Sequence, residues 1–200
     1  YKLDLSIKDE GNILIFASMW DEDNKIIFEK FINSSLVNHF EKVIIVPHEV
    51  NDYYLNYYCS VLEDNDFSFK KINQYQNFNQ FEEEYIIINK VGFLSKLYAQ
   101  STIAYVGGGF SKSGIHNIIE PAAASNPVIF GSNFLNSNKS DAEGLIDVSG
   151  GFSVDSYELF TEKINWLLDK NNYNNSSKNC KTFVTENSGS TEKILKELYE

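Results

Sequence analysis

Short apolar runs alternate with longer segments of helical period, and this alternation constrains the chain more than any other feature. Residues 12–17 (NILIFA), 42–47 (KVIIVP), 85–89 (YIIIN), 102–106 and 127–130 are too short for helices and too uniformly apolar for half-exposed strands. Residues 67–72 add a weaker strand candidate. Between them, 21–40 carries Ile26, Ile27, Phe31, Val37 and Phe40 at roughly helical spacing, with Asp21, Glu22 and Asp23 at its start. Residues 49–62 place Tyr54, Leu55, Tyr58 and Leu62 on one side, and 92–98 reads as a short helix. Asp155 and Glu158 are spaced for a capping box. The helix they open carries Tyr157, Phe160, Ile164, Leu167 and Leu168. Segment 73–84 reads as a polar surface loop and 171–178 as a polar linker. A last helix is expected from Gly189 and Ser190, with Ile194, Leu195, Leu198 and Tyr199 facing inward. Uniformly apolar strands alternating with helices predict an α/β domain, a doubly wound parallel sheet (Rossmann-like) covered on both faces, as one unit over 1–200. Such sheets bind ligands at the carboxyl ends of their strands. The glycines at 107–109, the Ala17–Trp20 corner and His48 all fall there.

Composition narrows the ligand. A net charge of −11 argues against a nucleic-acid partner, which favours a basic face. It leaves room for a small anion, because local backbone dipoles hold one inside an acidic protein. Cys59 and Cys180 are far apart in sequence and show no metal-ligand spacing, so a reduced pair is expected. No apolar run approaches the ~18 residues of a membrane span, and no signal-peptide pattern opens the chain. The chain starts at Tyr1 on a charged, strand-like stub without an initiator Met, and is expected to be cut from a longer protein.

Chemistry concentrates between Tyr105 and Gly131. Gly107, Gly108 and Gly109 follow a buried strand, and Phe110, Ser111, Ser113 and Gly114 continue the turn. Two readings stand: close backbone approach to a phosphate, or a tight turn that needs positive φ. No Gly-Lys-Ser/Thr closes the loop, so it is not a Walker loop. Lys112 occupies the last glycine position of G-x-G-x-x-G counted from Gly107, so it is not that fingerprint either. His116, Asn117 and Glu120 are expected on the first turn of the next helix. Pro121 is tolerated only near a helix start, which fixes Glu120 near the mouth of the sheet. Its carboxylate either compensates the helix dipole or accepts both hydroxyls of a ribose diol. His116 and Asn117 are either structural and capping residues or ligand contacts. The Ser18 hydroxyl is a further candidate contact. Asp21, Glu22 and Asp23 read as helix N-terminal charges.

These residues resemble the bacterial 3-deoxy-D-manno-octulosonic acid (Kdo) transferases. The similarity rests on Ile103-Ala-Tyr-Val-Gly-Gly-Gly-Phe, Gly114-Ile-His-Asn-Ile-Ile-Glu-Pro-Ala and Pro127-Val-Ile-Phe-Gly. Ile15-Phe-Ala-Ser, Val46-Pro-His, and Val91-Gly-Phe-Leu with Leu97-Tyr98 support it in the same order. The resemblance implies the C-terminal half of a GT-B type glycosyltransferase that binds CMP-Kdo as donor substrate, with no cofactor and no metal. It further implies transfer of Kdo to lipid A precursor in lipopolysaccharide biosynthesis, at the cytoplasmic face of the bacterial inner membrane. The catalytic base, acceptor site and membrane contact would belong to an N-terminal domain that this chain does not match. The isolated chain is therefore expected to bind donor weakly and turn over little. By the resemblance, Glu120 holds the ribose. Gly107, Gly108, Gly109, Phe110, Ser111 and Gly114, with His116 and Asn117, surround the phosphate and carboxylate. Gly92, Phe93 and Leu94 lie near cytosine, and Ser18 and His48 line the cleft. Three positions depart from the family pattern: Ala17 replaces a glycine, no arginine stands between Pro47 and His48, and Ile115 replaces a glycine before His116. The alternatives are a UDP-sugar-dependent GT-B transferase or epimerase domain, and a nucleotide-binding module without turnover.

Overall fold

Each expected apolar run forms a strand, and a seventh strand joins them. The computed structural model describes residues 11–74, 77, 80–92, 94–135 and 138–188. The strands are β1 (Ile13–Met19), β2 (Lys42–Pro47), β3 (Phe69–Ile72), β4 (Tyr85–Ile88), β5 (Ile103–Val106), β6 (Val128–Gly131) and β7 (Gly151–Val154). They lie in the order β3-β4-β2-β1-β5-β6-β7, and all paired neighbours are parallel. Central strands β1, β2, β4 and β5 are buried on both faces, which explains their lack of alternation.

Side-chain alternation divides the core into two faces. Leu14 and Phe16 of β1, with Ile103 and Tyr105 of β5, pack under α3 (Asp52–Asp64), α7 (Tyr157–Leu167) and the helical segment 21–32. Ile15 and Ala17 face α4 (Leu94–Gln100), while Val106 and Val128 face α5 (Ile119–Ala123), α6 (Lys139–Asp147) and α8 (Lys170–Asn187). Phe16 is the aromatic hub of the first face, edge-on to Phe28 and Phe31 at 5.4 and 5.2 Å.

Several expectations need correction. The helix expected over 21–40 is broken. It runs α-helical at α1 (Asp21–Asp23), widens into a π turn at Asn24–Phe28, resumes as α2 (Glu29–Ile32), and is followed by a 3-10 turn at Ser35–His39. In the π turn the Glu29 N–H donates to the Asn24 carbonyl, five residues back. The helix expected from Asp155 and Glu158 is capped by Ser156, whose Oγ accepts from the Leu159 N–H. Residues 171–178 are no linker but part of α8. The helix α6 and strand β7 had no counterpart in the sequence reading. Neither cysteine is in a disulfide, as expected, and both are buried. The N-terminal stub, Phe93 and the helix expected after Gly189 lie outside the described residues.

The chain passes from β1 toward β2 on one side of the sheet, and β5 lies against β1 on the other. This reversal opens a crevice beyond the carboxyl ends of β1 and β5.

Candidate functional site

The glycine loop leaves β5 at this crevice. The Gly107 N–H continues the ladder to the Ala17 carbonyl at 2.8 Å, and the Gly107 carbonyl accepts from the His116 N–H at 3.2 Å. Each glycine answers a close backbone approach. A Cβ on Gly107 would collide with the Ser18 carbonyl, and one on Gly108, where φ is +95°, would collide with the Gly114 carbonyl. A Cβ on Gly109 would stand 2.5 Å from the Gly131 Cα. The three glycines are therefore required by packing of the loop on β1, on itself and on β6.

The loop is anchored from both sides by residues whose part in it the sequence does not show. Asp23, read there as a helix charge, is fully buried. Its Oδ1 accepts from the Tyr105 hydroxyl at 2.6 Å, and its Oδ2 accepts from the Gly108 N–H at 2.8 Å and the Trp20 N–H at 3.1 Å. Burial pushes its pKa up, and these three hydrogen bonds oppose the shift. On the other side, the Asn133 amide donates to the Ser111 carbonyl, and the Asn138 amide to the carbonyls of Ile115 and His116. One signal pointed to Asp23: a tyrosine in a buried strand needs a partner for its hydroxyl.

His116 and Asn117 precede α5 rather than lying on it. The Asn117 Oδ1 caps the helix by accepting from the N–H groups of Ile119 and Glu120 at 2.9 and 3.3 Å. Glu120 lies on the exposed first turn of α5, and Pro121 follows it as expected. The Ser111 hydroxyl is buried and donates to the Gly108 carbonyl at 2.9 Å, inside the loop. Phe110 packs against the core of the first face. Among the described residues, the N–H groups of Gly109 and Phe110 meet no protein acceptor.

Three rings close the crevice. Trp20 stacks on His48 with centroids 3.9 Å apart, and its indole N–H donates to Nε2 of His116 at 2.8 Å. The two imidazoles stand 4.7 Å apart. Burial lowers the pKa of both; the positive field of His48 lowers His116 further, and Glu49 partly offsets the shift of His48. Ser18 sits beside them in the left-handed region at φ +56°, and Ala17 before it is fully buried. Ser18 and His48 also line a cleft of about 140 Å³ with Val46, Gly92, Leu94 and Leu97. That is below the ~300 Å³ of a typical ligand pocket, and suits one ring rather than a whole nucleotide sugar. The structure thus gathers Ser18, His48, Gly92, Leu94, the glycine loop and His116 at one end of the sheet. Among the described residues Glu120 makes no hydrogen bond to the imidazole pair, and its charge adds to the burial that raises the Tyr98 phenol of α4. Among the described residues no cluster of His, Cys, Asp or Glu has metal-ligand geometry.

No family model matches the chain. Sequence similarity nevertheless runs along nearly all of it. A bifunctional glycosyltransferase/methyltransferase of Fusobacterium nucleatum subsp. nucleatum is 29% identical over 188 residues, which is 94% of this chain and 28% of that protein. A 3-deoxy-D-manno-octulosonic acid transferase of Chlamydia trachomatis is 27% identical over 200 residues, 98% of this chain and 45% of that protein. The chain thus spans less than half the length of these relatives. Among solved structures, the C-terminal CMP-Kdo binding domain of WaaA from Acinetobacter baumannii superposes with a TM-score of 0.70 at 16% identity, covering 88% of this chain and 90% of that one. The resemblance read from the glycine, His-Asn and Glu-Pro segments is borne out, and the architecture is that of a GT-B glycosyltransferase domain.

Proposed function

We propose that this chain is the donor-binding domain of a Kdo transferase, and that it binds CMP-Kdo in the crevice beyond β1 and β5. One observation carries the reading: the switch point of the sheet holds a glycine loop with two N–H groups that meet no protein acceptor, beside an imidazole pair held neutral, in a chain similar to a Kdo transferase over 98% of its length. The free N–H groups of Gly109 and Phe110, with a His116 N–H, suit the phosphate of the leaving nucleotide. Glu120 takes the ribose diol, and the cleft lined by Ser18, His48, Gly92 and Leu94 takes the base. The three departures from the family pattern converge on the same corner, where Trp20 and the two histidines stand in place of an arginine.

The chemistry divides between two domains in this reading. CMP is a good leaving group once its developing charge is stabilised, and the donor domain supplies that stabilisation. Deprotonation of the acceptor hydroxyl requires a general base, which an acceptor domain would bring. The acceptor is lipid A precursor and the whole enzyme works at the inner membrane; among the described residues no helix is long and apolar enough to cross a membrane.

Calorimetric titration of CMP and UDP into the chain tests the reading. CMP-selective binding, weakened at least tenfold by Glu120→Ala, is expected. UDP-selective binding would move the assignment to a UDP-sugar enzyme. Binding of either nucleotide that ignores Glu120→Ala would remove the ribose role.

A further inference from the structure

Trp20 was no site candidate in the sequence, yet it touches both imidazoles of the crevice. An indole N–H donates and cannot accept. Its 2.8 Å contact with Nε2 of His116 therefore requires that nitrogen to be the unprotonated acceptor. Neutral His116 must then carry its proton on Nδ1, since the hydrogen bond at one ring nitrogen sets the state of the other. Trp20 is itself held in place. Its ring stacks on His48 at an interplanar angle of 21°, and its backbone N–H is bound by the buried Asp23. His116 is fixed at both ends of its peptide unit, by the Gly107 carbonyl and the Asn138 amide. The Nε2–Cδ2 edge of His116 faces Trp20 and Gly108; a Cβ on Gly108 would lie 3.2 Å from Cδ2. The Nδ1–Cε1 edge is turned away from both. Among the described residues Nδ1–H has no protein acceptor, although the ring is only half-buried.

We propose that Trp20 is a positioning residue for donor binding: it selects the Nδ1–H tautomer of His116 and aims that N–H at the anionic group of the donor. The proposal rests on the donor-binding reading above for its ligand, and on geometry alone for its tautomer. Without Trp20 the imidazole can turn over or move its proton to Nε2. It would then offer the ligand an acceptor lone pair where a donor is needed. Trp20 acts only through His116 and need not touch the donor.

Two measurements on the chain test this. The first is a long-range 1H–15N correlation spectrum of 15N-histidine-labelled chain above pH 7. The Nδ1–H pattern is expected for His116. Trp20→Phe keeps a ring on His48 but has no N–H, and should convert His116 largely to the Nε2–H pattern. An Nε2–H pattern in the parent chain, or an unchanged Nδ1–H pattern in Trp20→Phe, overturns the proposal. The second is a cycle of CMP affinities for the parent, Trp20→Phe, His116→Ala and the double variant. Trp20→Phe is expected to weaken CMP roughly tenfold, the size of one hydrogen bond to a charged group. The double variant should be no weaker than His116→Ala alone, because the indole acts through the imidazole. Additive losses overturn the positioning role, since they would mean that Trp20 contributes independently of His116. Failure of the parent chain to bind CMP overturns the donor reading and the ligand assigned here, while the spectra alone decide the tautomer.

Discussion

Asp23→Ala should cost more than any other single polar truncation near the crevice, and the structure says by how much. Asp23 accepts three hydrogen bonds. Removing it leaves the Tyr105 hydroxyl and the Gly108 N–H buried without an acceptor, while the half-buried Trp20 N–H can turn to water. Each orphaned buried donor costs about 1–3 kcal/mol. The loss is partly offset, because the carboxylate is held in a buried site that disfavours its charge. The net expectation is a destabilisation of about 2–4 kcal/mol. Tyr105→Phe supplies the control, since it removes one orphan before it forms. Alone it should cost about 1 kcal/mol, and the double variant should be more stable than the sum of the singles by about 1–2 kcal/mol. Urea unfolding followed by circular dichroism, with the slope checked for constancy, measures all four corners. Additivity within about 0.5 kcal/mol would refute the argument, because it would mean that the 2.6 Å contact contributes nothing.

The remaining predictions concern protons and glycines. Burial holds His48 and His116 below the ordinary 6.5, so the unfolded chain takes up protons first as the pH falls. Their contribution to stability is full above that pH and is lost as the pH drops through it. Thermal melts should show a decline on the acid side of neutrality that His48→Ala flattens; Asp23 and His116 titrate in both proteins, so their difference isolates His48 and its field on His116, and parallel profiles would count against it. Gly109→Ala should destabilise by about 2 kcal/mol or more, because its Cβ would meet the Gly131 backbone with no flexible side chain to move aside. Gly92→Ala meets no atom within 4 Å and costs only the strain of its φ of +102°, about 1–2 kcal/mol. The reverse order in denaturant midpoints would show that the loop can shift to admit a side chain.

Strands were legible wherever burial on both faces wrote an unbroken apolar run, as in KVIIVP and YIII. Strand β7 (GFSV) left no such run, because it pairs on one side only and two of its four residues are half-buried. Helix α8 was hidden for a different reason. Its Asn- and Ser-rich sequence has poor helix propensity, and tertiary contacts override it. Ser176 and Ser177 donate to the carbonyls of Ser149 and Ser125 at 2.7 Å, and Cys180 is buried against Gly150. The place of the site was readable, since three glycines after a strand mark a strand end where backbones meet. Its wiring was not. Asp23 lies in a run of three acids, and only the fold distinguishes it, fully buried, from half-buried Asp21 and exposed Glu22. Trp20 gave no sign because its partner is 96 residues away.

The π turn between α1 and α2 lets this part of the chain carry one residue more than a regular helix could hold between two fixed faces. Upstream of it, Asp23 must face Gly108; downstream, Phe31 and Ile32 must face Phe16 and the first core. Asn24, within the turn, is buried as well and accepts from the Tyr58 hydroxyl at 2.8 Å. An α-helix advances about 100° per residue. In an unbroken α-helix one residue too many would swing the flanks apart by that angle; the wider i→i+5 turn absorbs it, so Asp23 and Phe31 both keep their faces. A further insertion has no such outlet, and either the glycine loop would lose its carboxylate or the core would lose its aromatic rings. Loss of exposed Lys25 would restore regular winding, whereas loss of Asn24 would also take away the acceptor of the Tyr58 hydroxyl.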